Sequence, residues 1–247
     1  MRPHPKMVGL ARALSKLGYC SRAEAAQRIR AGKVRVNGVV RRDPETPVRL
    51  GKDRIEINGQ PVAASKKIYL LLNKPRGIVT TASDEKGRDT VYKFLDAELP
   101  WVAPVGRLDK ASEGLLLLTN DSEWAARITA PETHLDKIYH VKIAKIADAA
   151  MIEAVKNGIR TKDGDFLRVK DASLLRQGER NSWLEVILDE GKNRHIRRMM
   201  ETLGIEVLRL IRVAVGPLAL GDLPKSTVRA LTPDEKLSLD RAMRRGA

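Results

Sequence analysis

Residues Val105–Asp121, VGRLDKASEGLLLLTND, set one carboxylate, Asp109, between an Arg-Leu step and a Ser-Glu-Gly turn that opens onto four consecutive leucines. The leucine run has the length and composition of a buried strand, so Asp109 stands at the edge of an apolar floor. A carboxylate in that position is ordinarily structural, capping a turn or pairing with a base such as Arg107. Its meaning depends on what the rest of the chain brings to it.

The 247 residues include 46 Lys and Arg against 31 Asp and Glu, a net charge of +15. Such an excess favours a polyanionic partner, nucleic acid before an anionic membrane surface. No apolar run approaches the roughly 18 residues that a membrane span needs. The opening stretch MRPHPKMVGLARALSK also lacks the apolar segment of a secretory signal. A cytoplasmic protein without a membrane partner is expected. The single cysteine, Cys20, excludes internal disulfides, and one Cys with four scattered His argues against a metal site.

The charge is uneven. Residues 1–66 hold 15 basic and 5 acidic residues, +10, which leaves +5 for everything that follows. PVAASKK, Pro61–Lys67, has no periodicity and reads as a linker. The expected organisation is therefore a basic module over 7–65, a larger domain over 66–235, and a basic C-terminal tail over 236–247.

In the module, Leu10, Leu14 and Leu17 fall at helical spacing, and SRAE, Ser21–Glu24, is a capping-box pattern opening a second helix. KVRVNGVV and RIEINGQPV each alternate into an Asn-Gly dipeptide suited to a type I′ hairpin. Arg22, Arg28, Arg30, Lys33 and Arg35 cluster around the second helix and its exit, as a phosphate-facing surface requires. The module resembles the S4 RNA-binding domain through SRAEA, Ser21–Ala25, and G-x-V-x-V-N-G, Gly32–Gly38. That resemblance implies RNA binding and no particular chemistry.

From Ile68 onward the chain alternates strands (68–75, 114–121, 137–146, 182–191, 205–215) with helices near 122–130, 147–157 and 193–203. An α+β domain on a mixed, largely antiparallel sheet is expected. Three of its segments bear on Asp109. NKPRGIVTT, Asn73–Thr81, is a basic loop whose Gly permits close backbone approach to a phosphate. KIYHV, Lys137–Val141, presents Tyr139 from a strand. GKNRHIRRMMETLG, Gly191–Gly204, puts Ile196, Met199, Met200 and Leu203 on one helix face and Arg194, Arg197, Arg198 and Glu201 on another.

Taken together, V-G-R-L-D-x-x-S-E-G-L-L-L-L-T-N-D, K-x-Y-x-V and G-x-N-R-x-I-R-R-M behind an S4-like module resemble the bacterial ribosomal RNA pseudouridine synthases of the RsuA/RluB/RluE/RluF group. The resemblance spans nearly the whole chain. It implies that Asp109 is the catalytic aspartate, Tyr139 the active-site tyrosine and Arg197 the arginine paired with the aspartate. Lys74 and Pro75 match a K-P-x-G motif of mainly architectural role. Lys74, Arg107, Lys192, Arg194 and Arg198 join the module's five cations as candidate RNA contacts. Two departures are His195, where many members carry Gln, and a short C-terminal end, RAMRRGA.

The implied reaction needs no cofactor and no metal. Pseudouridylation breaks N1–C1′, turns the uracil and rejoins it through C5, so bond energies roughly cancel. An aspartate, with an ordinary pKa of about 3.9, can attack at C1′ or act by way of an eliminated glycal. A tyrosine stacked on the ring can take the C5 proton. The uridine must first be flipped out of its stack. The expected partner is ribosomal RNA or a ribosomal subunit precursor, and the expected state a monomer. Two rivals remain: a non-catalytic RNA-binding or ribosome-assembly factor, and a glycoside or nucleoside hydrolase using Glu113 as its general acid.

Overall fold

Both Asn-Gly dipeptides turn as their sequence requires in the computed structural model, which describes residues 7–81 and 87–245. Asn37 and Gly38 have φ of 52° and 81°, and Asn58 and Gly59 have 50° and 79°, the left-handed pair that a type I′ hairpin needs. They join the short strands of a first compact unit. This unit contains β1 (Met7–Gly9), α1 (Leu10–Lys16), α2 (Arg22–Arg30), β2 (Val34–Val36), β3 (Val39–Arg41), β4 (Pro47–Arg49), β5 (Ile55–Ile57) and β6 (Gln60–Pro61). The sheet order is β3-β2-β5-β6, and β1 pairs with β4. Leu10, Leu14, Cys20, Ile29, Val34 and Ile57 share its core. Ser21 caps α2 by accepting from the Glu24 amide at 3.1 Å. Glu24 does not reach back to complete the box; it binds Arg28 one turn on.

The unit extends beyond the boundary expected near Ser65. It runs through Tyr69 and takes in Leu95–Pro104 and Leu118–Ala125, and inside it Lys16 donates to Glu123 at 2.5 Å.

The remaining elements are β7 (Tyr69–Lys74), β8 (Ala103–Pro104), β9 (Glu113–Thr119), α3 (Ser122–Thr129), β10 (Lys137–Ile143), α4 (Ala149–Asn157), β11 (Ile159–Arg160), β12 (Phe166–Leu167), β13 (Asp171–Gln177), β14 (Ser182–Leu188), α5 (His195–Thr202), β15 (Val207–Val215), β16 (Leu218–Ala219), β17 (Val228–Ala230) and α6 (Pro233–Arg245). The large sheet runs β13-β14-β10-β15-β9-β7-β17. Strand β9 joins β15 in parallel, whereas β10, β13, β14, β16 and β17 join their neighbours antiparallel. The α+β class and the mixed sheet are as expected.

Ile196, Met199 and Met200 of α5 and Met151 and Val155 of α4 enter one core with Val141, Leu184 and Val186 of the sheet. Strand β9 is buried along its whole length, and its approach to β15 is unusually close. A Cβ at Gly114 would lie 2.2 Å from the Arg212 carbonyl oxygen, and its φ of +101° also excludes a side chain.

Other parts also differ from the sequence reading, the short strands β8, β11, β12, β16 and β17 among them. The seven-residue strand β13 was not anticipated, because DASLLRQ buries only Ala172 and shows no alternation. The segment read as a tail from residue 236 is the body of α6, whose Leu239 and Met243 are buried.

Candidate active site

Asp109 sits in a loop clamped by its neighbours' backbones. The Thr80 hydroxyl donates to the Leu108 carbonyl at 2.7 Å, the Gly77 amide donates to Lys110 at 2.7 Å, and the Ser112 amide returns to Asp109 at 2.9 Å. Beneath them lies Lys74, 0% exposed, with its ammonium bound to the carbonyls of Asp109 at 3.2 Å, Ser112 at 2.8 Å and Pro75 at 3.2 Å. Burial pulls the Lys74 pKa down to about 8, against the opposing pull of Asp109 and Glu113. Arg197 closes the far side by donating to Ala111 at 2.9 Å. NKPRGIVTT thus braces the aspartate loop through Lys74, Gly77 and Thr80, while its Arg76 stays exposed.

The Asp109 side chain faces a cavity of about 420 Å³ that Tyr139, Arg107, Lys192, Arg194, His195, Lys137 and Arg212 also line. Its volume fits a small-molecule-sized guest. Tyr139, on β10, is half-buried, and its hydroxyl makes no hydrogen bond among the described residues. The hydroxyl is not sealed in, so it is open to a guest in the cavity. Among the described residues no three His, Cys, Asp or Glu side chains gather as a metal site, and no helix is long and apolar enough to cross a membrane.

The sequence model of the RNA pseudouridylate synthase family matches residues 68–202, and that of the S4 domain matches residues 8–55. The chain belongs to the RNA pseudouridylate synthase family. A ribosomal large subunit pseudouridine synthase B of Bacillus subtilis (strain 168) is 37% identical to it, over 93% of this chain and 94% of its own length. An uncharacterized RNA pseudouridine synthase of Rickettsia bellii (strain RML369-C) is 40% identical, over 92% and 97%. A solved structure titled a pseudouridylate synthase shares 28% identity, with a TM-score of 0.67 over 94% of this chain and 99% of its own. The activity class is accordingly that of an isomerase.

Within this synthase, several residues stand apart from the roles expected of them. Arg197 makes no ion pair with Asp109 among the described residues. Its two terminal nitrogens donate to Ala111 and, at 3.4 Å, to Val207, while its buried Nε has no hydrogen-bond partner among the described residues. Burial lowers its pKa first and Arg194 second, while Asp109 opposes both through space. Lys74 cannot touch RNA, since burial seals it under the loop. Arg198 is paired with Asp163 at 2.6 Å and Asp165 at 2.7 Å. Arg28 is likewise held by Glu24 and lies over the Tyr19 ring. Lys192 is exposed but tied to Glu190. Arg22, Arg30, Lys33, Arg35, Arg107 and Arg194 remain exposed.

Glu113, the hydrolase reading's acid, is gripped by Arg209 at 2.9 Å and Lys225 at 2.8 Å. Burial pushes its pKa up, but those hydrogen bonds outweigh it and the net shift is downward. An ionised, doubly paired carboxylate has no proton to give.

His195 is 3% exposed, and neither ring nitrogen has a hydrogen bond of normal geometry. Burial lowers its proton affinity most, against Glu190 and the Arg168 backbone, so it enters the cavity wall as a neutral ring.

The sequence reading missed Arg212 and did not use Lys137 or Thr80. Parity along β15 was the available signal for Arg212. It shares a face with Leu210 and Ala214, both buried, so an arginine there points inward.

Proposed function

We propose that this chain converts one uridine of ribosomal RNA, free or in a ribosomal subunit precursor, to pseudouridine, acting as a cytoplasmic monomer without a cofactor. Asp109 is the nucleophile. Its carboxylate takes the ribose, at C1′ or by way of the glycal, while the uracil turns. Tyr139 stacks on the base and accepts the C5 proton, directly or through water. Arg197 holds the Ala111 carbonyl and supplies a positive charge behind the loop. The exposed cations of α2, its exit and β2 meet phosphates, and Arg107 and Arg194 meet them at the cavity mouth.

The observation that carries this reading is the shared cavity of Asp109 and Tyr139, with the aspartate's carbonyl held by Lys74 and Ser112 and the rest of its loop by Thr80, Gly77 and Arg197. A preorganised nucleophile facing a phenol that no described protein group binds and that is open to the cavity serves chemistry better than packing. A pure RNA-binding factor has no need of either. A hydrolase lacks its acid, because Glu113 is already paired.

The Bacillus subtilis relative, by its name, acts on the large ribosomal subunit, which makes that RNA the first place to look. Carbodiimide mapping of ribosomal RNA from cells with and without this chain tests the reading. One site should be lost in its absence and restored by the wild-type chain. An unchanged map would contradict the proposal.

A further inference from the structure

Resting on that reading, we propose that Arg212, with Lys137 behind it, is the anion site that holds the negative charge of the uracil while the base is detached from the ribose. When the Asp109 carboxylate bonds to C1′, the N1–C1′ electron pair leaves with the base. The carboxylate's charge thereby passes to a uracil monoanion, spread over N1, O2 and O4. That anion attacks C1′ through C5 and releases the carboxylate. The neutral C5–H adduct then loses a proton at C5 and gains one at N1. Where the glycal forms instead, the carboxylate takes the C2′ proton and the base still departs as its anion.

A cavity that detaches such a base must offer positive charge where the base lies. Arg212 is 7% exposed, and its Nε is anchored on the Leu115 carbonyl at 2.8 Å. The terminal nitrogens make no hydrogen bond and no ion pair among the described residues, nor are they sealed in. Arg212 lines the same cavity as Asp109 and Tyr139. Across the β10–β15 ladder Arg212 stands opposite Tyr139, beside a register shift between Ile138 and Tyr139. Such a bulge re-aims the side chains next to it.

Lys137 adds a second cation to this floor, with only a 3.4 Å contact to the Asp189 carbonyl. Burial first and the charge of Arg212 second lower its pKa, against the carboxylates of Asp136 and Asp189. Two cations on one cavity wall, beside the single carboxylate of Asp109, offer positive charge to an entering anion. Glu113, the carboxylate nearest in the chain to Gly114 and Leu115, is committed to Arg209 and Lys225. Depth selects the base over the phosphate. Arg107, Lys192 and Arg194 are exposed and can meet the backbone, whereas Arg212 lies where the ring enters.

The test compares uridine RNA with the same ribosomal RNA segment carrying 5-fluorouridine, whose base leaves as a more stable anion. Single-turnover loss of the starting nucleoside is followed for wild type, Arg212→Gln and Arg212→Lys. Arg212→Gln should slow consumption of uridine by about 10²–10³-fold and of 5-fluorouridine by at least about tenfold less. Arg212→Lys should recover part of the rate, and RNA affinity should stay within about threefold. Equal deficits on both bases, or a large affinity loss at a normal maximal rate, would overturn the assignment. Should Arg212→Gln melt at the assay temperature, Lys137→Gln must show the same selective deficit in smaller degree, and its absence counts equally against the site. Failure of the wild type to form pseudouridine would instead sink the function proposed above.

Discussion

The buried ammonium of Lys74 donates to the carbonyl of Asp109, the residue proposed as nucleophile, at 3.2 Å. A lysine at the end of β7 thereby holds the backbone of the aspartate loop. Lys74→Met keeps the length but leaves three carbonyls without their donor. It should lower stability by about 2–4 kcal/mol, the cost of losing charge-assisted bonds to buried acceptors, and should reduce the maximal rate more than RNA affinity. Denaturant melts and single-turnover assays on the same preparation check both. A variant with native stability and rate would remove the brace from the mechanism.

The same lysine gives a pH signature. Its folded pKa, about 8, lies below the ordinary value of about 10.4. The unfolded chain therefore binds this proton more tightly than the folded one. The cost of burying the protonated form is present in full below about pH 8 and vanishes as pH rises toward 10.4. Wild-type stability should consequently gain on Lys74→Met between those values. Urea midpoints measured at pH 7, 8, 9 and 10 decide it, and parallel curves would count against a buried, depressed Lys74.

Gly114 marks the closest approach of β9 to β15. Gly114→Ala places a Cβ 2.2 Å from the Arg212 carbonyl oxygen in a left-handed backbone. The expected cost is about 3 kcal/mol or more, from overpacking added to backbone strain. A thermal melt reports it. A midpoint unchanged within a degree or two would mean that the strands separate easily there.

Much of this fold could be read from the chain. The Asn-Gly turns, the Ser21 cap, the Leu115–Leu118 floor and the α5 stripe are local signals, and each has its expected place. What stayed hidden depended on partners distant in sequence. Nothing near Arg198 announces Asp163 and Asp165, so an arginine on a polar helix face looked free. Lys74 looked basic and exposed because its three acceptors come from residues 75, 109 and 112. Arg212 looked like one more charge in an apolar strand until β9 supplied the Leu115 carbonyl. Strand β13 escaped because an exposed edge strand needs little apolar patterning.

The two sets of arginines make opposite expectations. Replacing Arg30, Lys33 and Arg35 with alanine removes exposed cations with no ion-pair partner among the described residues. The slope of log affinity against log salt should fall by about two, with the maximal rate retained. Arg198→Ala breaks an ion pair already satisfied by two aspartates, so the slope should stay the same. Filter binding at three salt concentrations separates them, and an Arg198→Ala slope that drops like the triple variant's would return Arg198 to the RNA contacts.

The most direct measurement is single-turnover pseudouridine formation by Asp109→Asn on the ribosomal RNA segment that carries the mapped site, with RNA affinity measured alongside. Asparagine keeps the shape and the clamped backbone but is no nucleophile. Product should be absent while affinity stays within about threefold of wild type. Turnover above about one thousandth of the wild-type rate would require a nucleophile other than Asp109.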